Sequence, residues 1–244
     1  MTPTQHQTAA ILIIGNEVLS GRTREANAWL AAEKLFSRGC KLREIAIVAD
    51  VHDDIVEALQ RLHTRYDAVI TSGGIGPTHD DITMDAVADC FHTRLLEHAE
   101  TMQRLHNRYG EHVDEGRRRM ARLPEQAEPI LCAASLMPGA HIDNVYVLAG
   151  VPSIFASQLD SFLDDFGGRP FLRKEIDIQG QESLFARALS DIQDQFPDVE
   201  IGSYPVSCNQ HPCGKICLSS QHETQLDEAV AAVQVMIQNL PTDP

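Results

Sequence analysis

A short glycine-rich segment carries the strongest chemical signal in the sequence. Three glycines stand within four positions of Ser72-Gly-Gly-Ile-Gly-Pro-Thr78. Because glycine has no Cβ, successive backbone N–H groups can turn toward one anion, and neighbouring hydroxyl groups can add donors. The segment therefore predicts a nest for a phosphate group. The residues expected to contact that group are Ser72, Gly73, Gly74, Gly76, Pro77 and Thr78.

Asp80 and Asp81 follow this segment, just before a helix that is predicted to begin near Thr83. An aspartate in that position commonly caps a helix by accepting a backbone N–H. Capping and ligand binding therefore explain the first carboxylate equally well. A second adjacent carboxylate gains nothing from capping, so we expect the other aspartate to face the ligand.

Two more acids, Glu17 and Asp50, stand directly after predicted strands. Carboxylates beside an anion nest would repel a phosphate unless a cation lies between them. Mg²⁺ commonly binds one or two carboxylates together with phosphate oxygens and water. The combination predicts a phosphate or pyrophosphate ligand bridged by Mg²⁺ or another divalent cation, although either acid taken alone is equally well explained as a solvated loop residue.

Buried strands are predicted to bring these groups to one edge of a sheet. Apolar runs alternate with helical patterns in the βαβ order of an open α/β fold, in which ligands bind beyond the carboxyl ends of the strands. Asn16-Glu17, Asp50, the glycine segment and Gly150-Val-Pro152 each follow such a strand. The strands are predicted at 10–14, 42–48, 67–71 and 144–149, and the helices at 27–37, 54–62, 83–91, 97–122 and 153–166.

The turn residues Gly167-Gly-Arg-Pro170 predict a boundary between two domains, 1–169 and 170–244. Beyond the boundary the pattern is that of a small α+β unit of βαββα order. Its strands are predicted at 172–178, 199–204 and 215–220, and its helices at 182–195 and 223–239.

Composition limits the classes of partner. With 43% apolar residues in 244, the chain can bury a core, so disorder as the main state is excluded. The 20 Lys and Arg against 35 Asp and Glu give a net charge of −15, which opposes nucleic-acid binding. No apolar run approaches the roughly 18 residues of a membrane span, and the start lacks a secretory signal pattern. We expect a soluble cytoplasmic protein without a membrane or nucleic-acid partner.

Five segments stand out as motifs: Gly15-Asn-Glu-Val-Leu-Ser-Gly21 with Asn27, Thr71 to Thr83, Met120-Ala-Arg-Leu-Pro124, Met137-Pro-Gly139 and Ala149-Gly-Val-Pro152. Together they resemble the MoaB/Mog molybdopterin-binding domain family, and most closely the amino-terminal domain of CinA-type proteins. The tail, with Val199-Glu-Ile-Gly-Ser-Tyr-Pro205, is similar to the region that follows this domain in CinA-type proteins and in eukaryotic FAD synthases.

The resemblance implies a three-layer α/β fold with an open, mostly parallel sheet, and a molybdopterin or nucleotide bound through its phosphates. In CinA-type members it implies a metal-dependent pyrophosphatase acting on ADP-ribose, FAD or adenylated pterin. By motif position Asp50 and Asp81 are the catalytic acids. We expect Glu17 and Asp81 to hold the metal and Asp50 to orient the water. The motifs complete the ligand-binding set with Asn16, Asn27, Thr83, Pro138, Gly139, Gly150 and Pro152.

Departures from the family pattern keep other functions open. Asn16 stands where many relatives have Asp, and the segment from Cys132 to Met137 differs from the usual one. A non-catalytic binding or regulatory module, or an enzyme of molybdenum-cofactor biosynthesis, are the alternatives. We expect a homo-oligomer, either a dimer or a trimer.

Three other features have plain structural explanations. Cys208, His211, Cys213 and Cys217 could bind Zn²⁺, but the spacing is irregular and Cys217 is predicted to face a core from a strand. The run from Arg117 to Arg122 is expected to be a solvated helix face, with Arg117 or Arg119 as the candidate for a phosphate contact. Trp29 is expected in the core.

Overall fold

A computed structural model describes residues 5–206 and 213–240 of the chain. Its internal contacts divide the chain into two units, Met1–Gly168 and Arg169–Pro244. The division falls in the Gly167-Gly-Arg-Pro170 turn, where Gly167 has a positive φ of 87°. Each unit has its own buried core.

The first unit is built on a six-stranded sheet of order β2-β1-β3-β8-β7-β6. Its strands, together with the separate pair β4-β5, are β1 (Thr8–Ile14), β2 (Lys41–Val48), β3 (Ala68–Ser72), β4 (Leu95–Glu97), β5 (Arg122–Pro124), β6 (Glu128–Cys132), β7 (Ser135–Ile142) and β8 (Val145–Leu148). Its helices are α1 (Asn16–Leu19), α2 (Asn27–Arg38), α3 (His52–Arg65), α4 (Thr83–Cys90), α5 (Ala99–Tyr109), α6 (Glu115–Met120) and α7 (Pro152–Phe162), the last extended by a 3-10 turn (Leu163–Asp165).

The apolar run of β1 explains why this sheet has helices on both faces. Ala10, Leu12 and Ile14 pack on one side with α3 and α4. Ala9, Ile11 and Ile13 pack on the other side with α2 and α7. Strands β2, β1, β3 and β8 are parallel. The predicted three-layer α/β fold with a mostly parallel sheet is therefore confirmed.

The predicted helix over 97–122 is wrong, because the chain breaks there into β4, α5, α6 and β5. Gly110 ends α5 with a φ of 59°, a left-handed conformation that a glycine adopts without strain. The Asp114 side chain then caps α6 by accepting the N–H of Arg117. Polar composition concealed these local stop and start signals.

Two strands of the sheet, β6 and β7, were not predicted. Both are antiparallel to their sheet neighbours, and neither forms the continuous apolar run typical of a buried parallel strand. Pro138 lies in β7 where the pairing with β6 shifts register, between Ile130 and Cys132. A proline is tolerated at such an irregularity because its missing N–H is not needed there.

Trp29 is 70% exposed, so its predicted place in the core is wrong. The face of α2 that packs on the sheet carries Ala28, Ala31 and Leu35. Trp29 follows Ala28 by one residue, which rotates its side chain about 100° away from that face. Helical spacing predicted the helix, but not which of two adjacent apolar residues faces inward.

The second unit is an antiparallel sheet of order β10-β11-β9 with two helices. Its α+β composition and βαββα order confirm the prediction for the tail. Its elements are β9 (Leu172–Gln179), a 3-10 turn (Glu182–Leu184), α8 (Ala186–Gln195), β10 (Glu200–Val206), β11 (Cys213–Ser220) and α9 (Glu223–Gln238).

Cys217 does not face the core of this unit, contrary to the prediction. In β11 the buried core positions are Ile216 and Leu218, so Cys217 lies on the opposite face of the strand. Burial there is partial, and it raises the pKa of the thiol. Cys208 and His211 of the proposed zinc cluster lie outside the described residues.

No helix in the described part of the chain has the length and apolar character needed to cross a membrane.

A polar cluster ties the start of the chain to β8. His6 Nε2 lies 3.1 Å from the Tyr146 hydroxyl, which donates to Asp165 Oδ2 at 3.1 Å. Burial lowers the pKa of His6, against the opposing effect of Asp165. Burial likewise raises the pKa of Tyr146.

The His6 environment predicts a loss of stability in mild acid. Below about pH 6.5 the unfolded chain protonates this histidine while the folded protein resists protonation, so the unfolded state binds more protons. We expect the melting temperature to fall from pH 7 to pH 5, and to fall less in His6→Gln than in the parent. His112→Gln, at an exposed position, is the control and should match the parent. Equal slopes in all three proteins would contradict the prediction.

Candidate functional site

A cavity of about 500 Å³ opens at the carboxyl ends of β1, β2, β3 and β8. The strand order brings together loops that are far apart in the sequence. Ten of the residues predicted for the site line this cavity: Glu17, Asp50, Gly73, Gly74, Gly76, Pro77, Thr78, Asp80, Asp81 and Gly150.

The glycine loop between β3 and α4 is held in a conformation that requires glycine. Gly73 and Gly74 have φ angles of 107° and 68°. A Cβ on Gly73 would lie 2.2 Å from the Ile14 carbonyl oxygen, and one on Gly74 would lie 2.1 Å from Thr83 Oγ1. The Gly73 N–H donates to Leu148 O at 3.2 Å. The loop is therefore packed against the ends of β1 and β8.

Three consecutive amides of this loop are left without internal partners. The N–H groups of Gly74, Ile75 and Gly76 find no acceptor among the residues that the structure describes. These residues line the cavity. Adjacent free N–H groups at the end of a strand form the kind of concavity that binds anions.

Asp80 and Asp81 both contact Thr78 and neither caps α4. Asp81 Oδ2 accepts the Thr78 N–H at 2.8 Å and lies 2.5 Å from its hydroxyl, which also lies 2.5 Å from Asp80 Oδ1. The hydrogen bond from Thr78 is the main reason that the pKa of Asp80 is lowered. The N-cap of α4 is Ile82, without a side-chain cap. Both carboxylates therefore stay at the cavity wall.

Asp50 and Glu17 form the wall beyond β2 and β1. Asp50 Oδ2 accepts the backbone N–H of Asn16 at 2.7 Å, which orients the carboxylate. Glu17 folds back over Gly15, where a Cβ would lie 2.6 Å from Glu17 Oε1. The exposed Asn16 side chain does not line the cavity.

Three residues predicted to bind the ligand lie beneath the cavity as supports. Asn27 Nδ2 donates to Ser72 Oγ and to Gly150 O, both at 2.8 Å. These bonds join α2 to the end of β3 and to the loop after β8. The Thr83 hydroxyl donates to Gly73 O at 2.9 Å. The side chains of Asn27, Ser72 and Thr83 are buried.

Pro138, Gly139 and Pro152 also stand apart from the cavity lining. Pro138 and Gly139 are buried in β7, and a Cβ on Gly139 would lie 2.4 Å from Val147 O. Gly139 therefore allows β7 to approach β8 closely. Pro152 is exposed at the first turn of α7, a position that suits proline.

Sequence reasoning missed the residues on the other side of the cavity. Ser135 and Met137 come from β7, two positions apart and so on the same face of the strand. Ile154 and Gln158 come from α7 at the i, i+4 spacing of one helix face. Gln158 was detectable as a polar residue between the core residues Phe155 and Leu159. The missed lining residues are Ile14, Ile75, Met120, Ser135, Met137, Ala149, Val151, Ile154 and Gln158.

The candidate arginines do not line this cavity. Arg117 pairs with Asp114, and its Cζ lies 4.3 Å from the centroid of the Tyr109 ring. Arg119 Nη2 donates to the Asp81 carbonyl oxygen at 2.8 Å. Arg119 lies instead in a second cavity of about 450 Å³, on the other side of the glycine loop. It therefore acts as a support for that loop.

Comparison with known proteins places this arrangement in a family. Residues 10–174 match the sequence profile described as a probable molybdopterin binding domain. The chain belongs to this family. A crystal structure of CinA from Thermoplasma acidophilum, described as a protein of unknown function, superposes with a TM-score of 0.62 at 29% identity, covering 66% of this chain and 99% of that one.

The molybdopterin-binding domain is followed by a second match. Residues 170–241 match the middle domain of FAD synthase. A probable FAD synthase of Caenorhabditis briggsae is 30% identical over 269 residues, covering 98% of this chain and 50% of that protein. The chain thus spans about half the length of this relative. A protein of Thermococcus kodakarensis is 33% identical over 214 residues, covering 81% of this chain and 85% of its own.

The glycine loop of this family member predicts a specific stability pattern. We expect Gly73→Ala to lower the free energy of unfolding by about 3 kcal/mol, because it adds a backbone collision to an unfavourable φ. Gly21→Ala is the matched control, since Gly21 has a φ of 72° with no atom near its Cβ position. It should lose only about 1 kcal/mol. Urea denaturation of both variants measures the difference, and equal losses would contradict the packing described for Gly73.

Proposed function

We propose that the 500 Å³ cavity binds a nucleotide or pterin through its phosphate groups. One observation carries the proposal: Gly74, Ile75 and Gly76, whose N–H groups have no acceptor among the described residues, line the same cavity as four carboxylates. Amides alone would suit a simple anion. Carboxylates in the same wall would repel one, so the pair of features favours a phosphate that arrives with a cation.

The carboxylates fit a divalent cation of the Mg²⁺ type. Oxygen ligands from one or two acids, completed by phosphate and water, are typical for this ion. Glu17 and Asp81 are the proposed ligands, since one oxygen of Asp81 is engaged by Thr78 and the other has no partner among the described residues. No group of three or more His, Cys, Asp or Glu in the described ranges is arranged to hold a metal by itself. The ligand would therefore supply part of the coordination.

The proposed reaction is hydrolysis of a pyrophosphate bond. Asp50 accepts a hydrogen bond from the attacking water, while the Asn16 N–H fixes the position of its carboxylate. The water oxygen bonds to phosphorus, the bridging P–O bond breaks, and a proton passes from the water to Asp50. The bound cation would neutralise charge on the phosphate oxygens. The glycine-loop amides hold the same oxygens in place.

Among candidate substrates, FAD is favoured over ADP-ribose and adenylated pterin. The FAD synthase middle-domain match and the names of the worm relatives support this order. All three compounds share an AMP moiety linked through a phosphate. The shared chemistry fits the nest and the carboxylates, and the rest of the molecule would extend toward β7 and α7.

A non-catalytic binding module is the second candidate. Asn16 is exposed and contributes no carboxylate to the cavity. The described residues also include no complete set of protein ligands for a metal ion. Both observations favour this candidate. Titration calorimetry distinguishes the two candidates. Tight binding of FAD or ADP-ribose without release of AMP would support the module.

We expect the parent to release AMP from FAD or ADP-ribose when Mg²⁺, Mn²⁺ or Co²⁺ is added. Asp81→Asn retains an oxygen that can accept from Thr78 but removes the charge. It should lower the rate by roughly a hundredfold or more, because the cation loses a ligand. The measurement is the rate of AMP release, monitored by chromatography.

Asp164→Ala is the matched control for charge removal. Asp164 is almost fully exposed and pairs with Arg38, and it is not a cavity residue. It should retain the parental rate. A rate in Asp81→Asn equal to that of the parent would exclude the proposed role of Asp81.

A homo-oligomer also stays a prediction. The edge strand β2 exposes Ile45 and Ile47, at 50% and 41% of their surfaces. We expect light scattering to report a dimer or trimer. We expect Ile45→Lys with Ile47→Lys to shift the mass toward the monomer, since charges on an edge strand oppose pairing.

A further inference from the structure

Gln158 is a fully buried polar residue on the apolar side of α7. Its Oε1 accepts the backbone N–H of Ala149 at 2.9 Å. Because that partner can only donate, the carbonyl oxygen of the side chain must be the atom that faces it. This bond therefore fixes the orientation of the amide and leaves Nε2 as the free end.

Nε2 of Gln158 has no acceptor among the residues that the structure describes. Buried polar groups are nearly always paired, so an unpaired donor points to a missing partner. Gln158 lines the same cavity as the glycine loop. Nε2 lies beside Gly139 of β7, where a Cβ would come within 3.3 Å of it.

The cavity changes character along the strand order. Acids follow β2 and β1, and the amide nest follows β3. Beyond β8 and β7 the lining is mostly apolar, with Met137, Ile154 and Val151 around Gln158. No Lys or Arg of the described chain lines the cavity. A neutral, largely apolar group is therefore favoured at this end over a second phosphate.

We propose that Gln158 is a specificity-determining residue, whose Nε2 donates to a neutral acceptor on the flat ring of the ligand. A ring carbonyl oxygen or an unprotonated ring nitrogen supplies such an acceptor, so adenine and flavin rings share the required chemistry. The inference rests on the proposed phosphate binding. It adds that Gln158 recognises the ring at the other end of the same cavity.

The test separates ring recognition from phosphate binding by comparing AMP, FMN and ribose 5-phosphate. The first two carry a ring, the third carries none, and none contains a pyrophosphate bond. Gln158→Glu keeps an acceptor for the Ala149 N–H and exchanges the free donor for an oxygen. Gln158→Met keeps the volume and removes the amide. Dissociation constants are measured by calorimetry with Mg²⁺ on the full chain.

We expect both variants to bind AMP or FMN about tenfold more weakly, the effect of losing one buried hydrogen bond. Ribose 5-phosphate should change by less than about twofold, since it does not reach Gln158. The ligand that is weakened identifies the ring that is recognised. Asp160→Asn is the control, because it makes the reverse exchange of carboxylate and amide at an exposed position of α7, where Asp160 pairs with Lys34 outside the cavity.

Two outcomes overturn the inference in distinguishable ways. If ribose 5-phosphate binds the parent and neither variant weakens AMP or FMN, Gln158 does not recognise the ring, while phosphate binding stands. If the parent binds none of the three, the proposed function fails as well. Melting temperatures identify a variant that has not folded. The other variant then decides the result.

Discussion

The packing of the Gly73-Gly74 backbone against the ends of β1 and β8 is the constraint on which the whole site depends. Two positive φ angles turn the chain at the sheet edge, and the Gly73 N–H continues the pairing with Leu148. After this turn, the next three N–H groups find no acceptor among the residues that the structure describes. Thr83, in the first turn of α4, holds the loop in place. Its N–H donates to Gly74 O, and its hydroxyl donates to Gly73 O. A Cβ on Gly73 would collide with the Ile14 carbonyl oxygen, and a Cβ on Gly74 would collide with the Thr83 hydroxyl oxygen.

A second level of structure supports this turn from below. Asn27 bonds to both Ser72 and Gly150, so the start of α2 joins the end of β3 to the loop after β8. Arg119 bonds to the Asp81 carbonyl from the outer side of the loop. Asn27 and Ser72 belong to the motifs that resemble the family, yet they stand behind the cavity wall. Motif membership therefore marks residues that shape a site as well as residues that would touch its ligand.

Part of the negative charge of the chain lies at the candidate site. Four carboxylates line one cavity, while Arg117, Arg119 and Arg122 are paired with acids or with the loop backbone. Among the described residues, the cavity lining therefore offers an anionic ligand amide and hydroxyl donors but no Lys or Arg. A cation carried with the ligand resolves the repulsion. The opposite side of the cavity, around Gln158, presents mainly apolar contacts and one free amide.

The sequence by itself determined the parallel strands, the glycine nest and the acids at the strand ends, because each of these depends on local composition and on the general geometry of βαβ units. It also determined the family and the βαββα tail. Tertiary structure decided the rest. The antiparallel pair β6-β7 has no strong local pattern, and the close approach of β7 to β8 requires Gly139, because a Cβ there would lie 2.4 Å from Val147 O. Polar composition concealed the break between α5 and α6, and spacing could not tell whether Trp29 or Ala28 faces inward. Which predicted residues reach the cavity, and that Gln158 lines it, depended on loops that meet only when the sheet is assembled.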